Sequence, residues 1–312
     1  MDLSVIVPVF NEEESLPELC EWISRVMNEN AFSYEVILVD DGSTDRSWEI
    51  IESLHERCVT IKGIRFQRNY GKSAALNEGF RSSSGDVVIT LDADLQDSPE
   101  EIPALRNMIL HNGYDLVSGW KKVRHDPLSK TIPSRFFNWV TAKVSKIKLH
   151  DFNCGLKAYR QHVVKSIEVY GEMHRYIPLI AKWSGFRKIG EKVVEHHPRK
   201  YGQSKFGMGR LITGGLDLAS ILFVGKYGKR PMHFFGSFGF LCFLFGFIIL
   251  FYLTISKFFL DKTGLTQRPV FFVALVFMII GMQLFVTGFV SELISRNAQN
   301  KNTYLIEKRA GL

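Results

Sequence analysis

The sequence lacks any C-x-x-C pair: Cys20, Cys58, Cys154 and Cys242 stand far apart, and Cys242 falls inside a long apolar run. Neither a disulfide framework nor a zinc site is implied, and the four read as small packing residues. No G-x-G-x-x-G follows the first strand-like segment, which disfavours a dinucleotide-binding enzyme. No leader pattern of basic, apolar and small residues precedes that segment, so the large N-terminal part is expected to stay in the cytoplasm. Internal repeats and low-complexity tracts are absent. Acid is scarce from Arg199 to Arg230, where seven basic residues meet only Asp217, a local charge of +6 on a chain carrying +7 in all. Charge vanishes altogether from Phe234 to Ser256 and from Pro269 to Ser291.

Those two uncharged stretches decide the organisation of the chain. A helix rises about 1.5 Å per residue and the hydrocarbon core of a bilayer is about 30 Å thick, so each can span it with some tilt. Only Lys257 to Arg268 separates them, which predicts a transmembrane hairpin with a short turn. Two crossings return the C-terminus to the starting side, where Arg296, Lys301, Lys308 and Arg309 fit the positive-inside tendency. The basic collar before the hairpin is expected to meet anionic headgroups, at about 1 kcal/mol per charge near the surface. Its position beside the membrane disfavours nucleic acid as its partner. The expected division is therefore a catalytic domain over 1–200, interfacial helices over 201–230, two transmembrane helices over 231–294 (about 234–256 and 269–291) and a cytoplasmic tail over 295–312. A multi-pass protein of the inner (cytoplasmic) membrane follows, with its catalytic domain on the cytoplasmic side.

The first 120 residues read as an α/β domain. Leu3 to Val9, Glu35 to Asp40, Ile61 to Phe66, Asp86 to Leu91 and Asp115 to Ser118 are short runs rich in Val, Ile and Leu. Segments of helical spacing separate them, the alternation of a mostly parallel sheet with crossover helices. Ser15-Leu16-Pro17-Glu18 and Ser98-Pro99-Glu100-Glu101 each put Ser at a helix cap with Glu three residues later. A further helix is expected from near Pro133 toward Val144.

Chemistry gathers at the strand ends. The first strand runs into Val7-Pro8-Val9-Phe10-Asn11-Glu12-Glu13, the second into Asp40-Asp41-Gly42-Ser43-Thr44-Asp45, and the fourth into Asp92-Ala93-Asp94-Leu95-Gln96-Asp97. Carboxyl ends of strands are where open α/β sheets bind ligands. Several of these residues can equally serve as plain helix caps. Asp92 and Asp94 are harder to explain that way, because two carboxylates at i and i+2 repel unless a cation or proton compensates. A hard divalent metal bridging them to a diphosphate supplies that compensation.

Val5-Ile6-Val7-Pro8-Val9-Phe10-Asn11-Glu12, Val39-Asp40-Asp41-Gly42-Ser43, Asn69-Tyr70-Gly71-Lys72 and Leu91-Asp92-Ala93-Asp94-Leu95-Gln96-Asp97 together resemble the family 2 inverting glycosyltransferases of GT-A fold. The hairpin narrows the likeness to polyprenyl-phosphate glycosyltransferases such as bactoprenol glucosyltransferases and dolichol-phosphate mannose synthase. No Q-x-x-R-W segment is present, which argues against the processive polysaccharide synthases.

What the resemblance implies can be set out residue by residue. Pro8, Phe10, Glu12, Asp40 and Asp41 match positions that hold the base and ribose, with Lys72 and Ala93 also on the nucleotide-sugar. Asp92, Asp94 and Gln96 match the metal and diphosphate positions, for Mg2+ or Mn2+. Arg124 and Arg135, with Ser134, match contacts to sugar donor and acceptor phosphate. Arg199 and Lys205 match a pair closing over the diphosphate. Asp151 lies in the acceptor-side segment His150-Asp151-Phe152-Asn153-Cys154-Gly155, and Asp94, Asp151 and Arg124 are the catalytic candidates. The implied reaction moves one sugar from a nucleotide donor, UDP-glucose by first expectation, to undecaprenyl phosphate for cell-envelope glycan modification. The alternatives are GDP-mannose, a UDP-N-acetylhexosamine or a UDP-amino-arabinose as donor, or a non-catalytic membrane-anchored nucleotide-sugar-binding protein. Relatives suggest a homo-oligomer.

Overall fold

In the computed structural model the described residues are 1–122, 138–143, 145–201, 223, 227, 230–260, 268–297 and 306–311. They fall into two units, Met1–Leu218 with Asn302–Leu312, and Ala219–Lys301.

In the first unit the chain alternates strand and helix: β1 (Leu3–Val9), α1 (Leu16–Glu29), β2 (Tyr34–Asp40), α2 (Ser47–Arg57), β3 (Ile61–Phe66), α3 (Lys72–Ser82), β4 (Val87–Thr90), α4 (Ile102–Leu110) and β5 (Leu116–Trp120). Then come β6 (Lys157–Arg160), α5 (Gln161–Ser166), α6 (Ile177–Trp183) and β7 (Ile189–Val193). One sheet takes the order β7-β5-β6-β4-β1-β2-β3-β8, its last strand β8 being Ile306–Ala310. The strands β4, β1, β2 and β3 run parallel, while β6 and β8 are antiparallel to their neighbours. All seven residues of β2 are buried, as are all of β1 except Pro8, because helices cover both faces. One core packs α1, α2 and α4 against the sheet through Leu19, Ile23, Ile51 and Leu105, and a second packs α3, α5 and α6 through Leu76, Phe80, Val163 and Ile177.

Two local expectations meet a different geometry. Ser15 precedes α1 but makes no side-chain cap, since its hydroxyl bonds back to the Glu12 carbonyl and carboxylate. Ser98 precedes a 3-10 turn at Pro99–Glu101 that leads into α4, and it too makes no side-chain cap. Of the helix expected from Pro133 toward Val144, residues 138–143 and 145 are helical, and the rest lies outside the described residues. The 201–230 segment lies almost wholly outside them as well. The expected C-terminal tail supplies β8, paired with β3 from Gly63 opposite Ala310 to Phe66 opposite Ile306.

The second unit is a pair of long helices, α7 (Pro231–Leu260) and α8 (Pro269–Asn297). Both are long and apolar enough to cross a membrane, with a mean hydropathy of 2.5. Their large side chains face outward, Phe258 being 79% exposed and Ile294 64%. The helices meet through small residues: a Cβ on Gly239 would lie 2.6 Å from the Gly281 carbonyl oxygen, and Ala274 is fully buried. Close backbone approach through Gly and Ala is the usual way for helices to associate where solvent gives no hydrophobic drive.

Candidate active site

Parallel register brings the carboxyl ends of β1, β2 and β4 level, Val9 standing opposite Asp40 and Ile6 opposite Thr90. The loops after these strands are then knitted together. Asn11, in a left-handed conformation (φ 54°), donates its backbone N–H to Ser43 Oγ and accepts the Thr44 N–H on its Oδ1. Asp40 accepts the Ser43 N–H at 2.9 Å. Asp41, buried, accepts N–H bonds from Tyr70 at 2.7 Å and Gly71 at 2.9 Å. Burial still dominates those bonds and pushes the Asp41 carboxyl up to about 6.

The Asp92-Ala93-Asp94 segment completes this edge. Lys72, at the start of α3, lies 2.5 Å from Asp92 Oδ1. Burial works against ionisation of Asp92, yet Lys72, with Lys121 and Lys157 farther off, holds its carboxyl down at about 2. Asp94 behaves oppositely: burial and the charges of Asp92 and Asp97 raise it to about 6. Arg199 Nη2 stands 3.1 Å from Glu12 Oε1 and 3.8 Å from Asp94 Oδ2, so it links the nucleotide-side and diphosphate-side expectations. The 196–199 segment is held there by an antiparallel bridge between His196 and Asp97 and by the His197 N–H on the Gln96 carbonyl. Asp97 is fully buried against the Lys121 ammonium at 2.6 Å.

Pro8, Phe10, Glu12, Asp40, Asp41, Lys72, Asp92, Ala93, Asp94, Gln96 and Arg199 thus share one edge of the sheet. Asp151 is buried; its Oδ1 accepts the Asn153 N–H and its carbonyl accepts the Ser118 hydroxyl. Arg124, Ser134, Arg135 and Lys205 lie outside the described residues. Among the described residues no cluster of three or more His, Cys, Asp and Glu forms a ready metal cage. The crowding of Asp94 by Asp92 and Asp97 nevertheless suits a divalent cation completed by substrate oxygens and water.

Several residues escape a sequence reading. Gly155 packs against Asp92 so closely that a Cβ there would lie 2.5 Å from the carboxylate, and its carbonyl accepts the Thr90 hydroxyl. Lys157 on β6, His174 and Arg175 line a cavity with Lys72 and Asp92. Arg65 on β3 reaches Asp40 at 3.6 Å and Glu307 at 3.5 Å. Gly155 falls in the acceptor-side segment that the resemblance implies, but nothing there marks its packing on Asp92, and nothing in the spacing marks Lys157, whose burial comes from β6 pairing beside β4.

Residues 4–168 match the domain described as glycosyl transferase family 2. The chain belongs to that family. It is 37% identical over 299 residues to the dodecaprenyl-phosphate galacturonate synthase of Rhizobium johnstonii, covering 95% of this chain and 88% of the relative. It is 34% identical over 313 residues to the undecaprenyl-phosphate 4-deoxy-4-formamido-L-arabinose transferase of Photorhabdus laumondii, covering 99% and 94%. Among solved structures, glucosyl-3-phosphoglycerate synthase from Mycobacterium tuberculosis, in complex with Mn2+, UDP and glucosyl-3-phosphoglycerate, superposes with a TM-score of 0.55 at 17% identity, covering 72% of this chain and 79% of that one. The sheet is the GT-A fold of this family-2 transferase, and the acidic loops lie at the carboxyl ends of its parallel strands β1, β2 and β4.

Proposed function

We propose that this family-2 transferase moves one sugar from a UDP-sugar to a polyprenyl phosphate, with inversion at the anomeric carbon. The observation that carries the reading is the joining of Glu12, Arg199 and Asp94 beside Asp92 and Lys72 at one sheet edge, in a chain that also bears two membrane-length apolar helices. The relatives' names supply the acceptor class, and a UDP-bound neighbour of the same fold supplies the nucleotide. Glucose is the donor sugar expected from sequence; galacturonate and a formamido-arabinose are those of the named relatives.

In this reading Asp41, Asp40, Pro8, Phe10 and Glu12 receive the nucleoside, and Arg199, Lys72 and Lys205 the diphosphate. Asp92 and Asp94, with Gln96, would hold Mg2+ or Mn2+, which when bound offsets charge on the leaving diphosphate. An acceptor-phosphate oxygen attacks the anomeric carbon, the bond from that carbon to the UDP oxygen breaks, and UDP departs. A phosphate monoester with second pKa near 6 is already mostly dianionic at neutral pH, so no strong base is required. Asp151, engaged in its own turn, suits orientation better than proton removal. Arg124, Ser134 and Arg135 are the groups proposed for the acceptor phosphate.

The two-helix unit then anchors the enzyme in the inner membrane, with the catalytic domain facing the cytoplasm. The test uses purified full-length protein in detergent with UDP-sugars, Mn2+ and a short-chain polyprenyl phosphate. Metal-dependent formation of a lipid-phosphate sugar with equimolar UDP is expected. UDP release that is indifferent to the lipid overturns the acceptor assignment.

A further inference from the structure

We propose that the first unit carries a membrane-docking face of its own, built by the helix over 138–143 and the end of α6, which sets Trp139 and Trp183 among the headgroups of an anionic bilayer. This face is distinct from the basic collar before the hairpin and from the two-helix anchor, and it does not depend on which sugar is moved. Among the described residues of the first unit, Trp139, at 59% exposure, and Trp183, at 42%, are the only exposed Phe, Tyr or Trp side chains. The helix that bears Trp139 is patterned the wrong way round for a surface helix. Its inner stripe is Asn138, Thr141 and Ser145, all buried and all polar. Its outer stripe holds Trp139 and Lys143, with Lys146 just past the helix end. A surface helix of a water-soluble domain turns its apolar side inward. Here the largest apolar side chain faces out, with the Lys143 ammonium 5.1 Å from its ring centroid.

Lys182 ties the two elements together. Its ammonium donates to the carbonyls of Ser145 at 2.7 Å and Lys146 at 3.0 Å, which satisfies the carboxyl end of the 138–145 helix. Trp183 is the next residue and the last of α6, so both tryptophans belong to one braced pair of elements.

Charge names the partner. From Asn138 to His150 there is no acid, and Lys143, Lys146 and Lys148 are all exposed while Ile147 and Leu149 beside them are buried. From Ile177 to Gly190 there is again no acid, and Arg187 adds an exposed guanidinium. None of these four cations makes an ion pair among the described residues. Glu191, the acid at the border, is already paired with His150. Amphipathic rings set among uncompensated cations suit the interface of an anionic bilayer, where the rings lie at headgroup depth and the ammonium groups meet lipid phosphates. The chain's two membrane-length helices tether a bilayer within reach of this unit. Arg135, proposed above for the acceptor phosphate, is only four residues from Trp139, at most about 14 Å of chain, so docking would hold it close to headgroup depth.

Tryptophan fluorescence reads this face directly, because all five tryptophans, Trp22, Trp48, Trp120, Trp139 and Trp183, lie outside the two apolar helices. The full chain is placed in nanodiscs of phosphatidylcholine, with or without phosphatidylglycerol, the lipids carrying bromine near the top of their acyl chains. Strong quenching is expected in the anionic discs, and Trp139→Phe with Trp183→Phe should remove most of it. Lys143→Gln with Lys146→Gln should weaken it too, since two such charges are worth on the order of tenfold in surface binding. High salt should do the same to the wild type, which needs no variant. Quenching that survives the loss of both tryptophans, or that is equal in neutral and anionic discs, overturns the proposal. So does a Trp139 signal, taken as wild type minus Trp139→Phe, that neither bromolipid nor aqueous acrylamide quenches, because protein then covers the face.

Discussion

Lys72 and Asp92 form an ion pair at the sheet edge, 2.5 Å apart, between the first residue of α3 and the second residue after β4. The pair is partly buried, so removing one member leaves the other poorly compensated. Lys72→Met should lower the melting temperature of the protein, by a destabilisation of about 1–3 kcal/mol. Mn2+ should recover more of that loss in the variant than it adds to the wild type. Calorimetry with and without Mn2+ measures both, and a variant that Mn2+ leaves unimproved removes Asp92 from the metal site.

Gly155 gives a second handle on the same carboxylate. Its Cβ would lie 2.5 Å from the Asp92 side chain, so Gly155→Ala must push that carboxylate aside. Displacements near 1 Å at a reacting centre cost about a hundredfold in rate. Transfer should fall by that order while circular dichroism stays native. Wild-type activity in Gly155→Ala would show that Asp92 does not act where it stands.

Asp94→Asn separates charge from shape. It keeps the side-chain volume and the backbone turn but removes the group expected on the metal. Transfer should be abolished at saturating Mg2+ or Mn2+, with metal-free UDP binding retained. Normal turnover would dismiss Asp94 as a ligand.

The strand runs, the acidic strand ends and the two apolar helices were all legible in the sequence, because each is a local pattern: period, composition or a short motif. Asp41 and Asp92 are found from their motifs alone. Their environments are not, since Tyr70, Gly71, Gly155 and Lys157 reach them only through the sheet order and through β6 running antiparallel beside β4. The absent cap at Ser15 has a similar origin, because the hydroxyl's choice of Glu12 depends on the folded loop. β8 was invisible for another reason: Ile306-Glu307-Lys308-Arg309-Ala310 is mostly charged, and only pairing with an open sheet edge makes it a strand.

Asp41 predicts a pH dependence. Its folded pKa is raised to about 6 by burial. The ionised form, which can accept a further hydrogen bond from a nucleoside, is therefore filled only as pH rises through about 6. Affinity for uridine, which has no phosphate titrating in this range, should weaken up to about tenfold per unit below pH 6 and level off above it. Asp41→Asn should bind weakly with no such slope. Ligand-observed NMR between pH 5 and 8 measures it, and a flat wild-type profile takes Asp41 out of the nucleoside site.

The C-terminal strand fixes a topological prediction. β8 joins the catalytic sheet on β3, with Arg309 Nη2 3.0 Å from the buried Glu78 and Glu307 3.5 Å from Arg65. The chain thus leaves this domain before α7 and returns to it after α8, which requires an even number of membrane crossings. In a version freed of Cys20, Cys58, Cys154 and Cys242, a cysteine at Thr266 should react with an impermeant maleimide in intact cells exposing the extracytoplasmic face. A cysteine at Leu312 should react only after permeabilisation. Adding Arg309→Ala strips the buried Glu78 carboxylate of its partner, a loss of about 1–3 kcal/mol, and should lower the melting temperature without altering either labelling pattern. Labelling of Leu312 in intact cells would refute the hairpin, because no single crossing lets β8 reach β3.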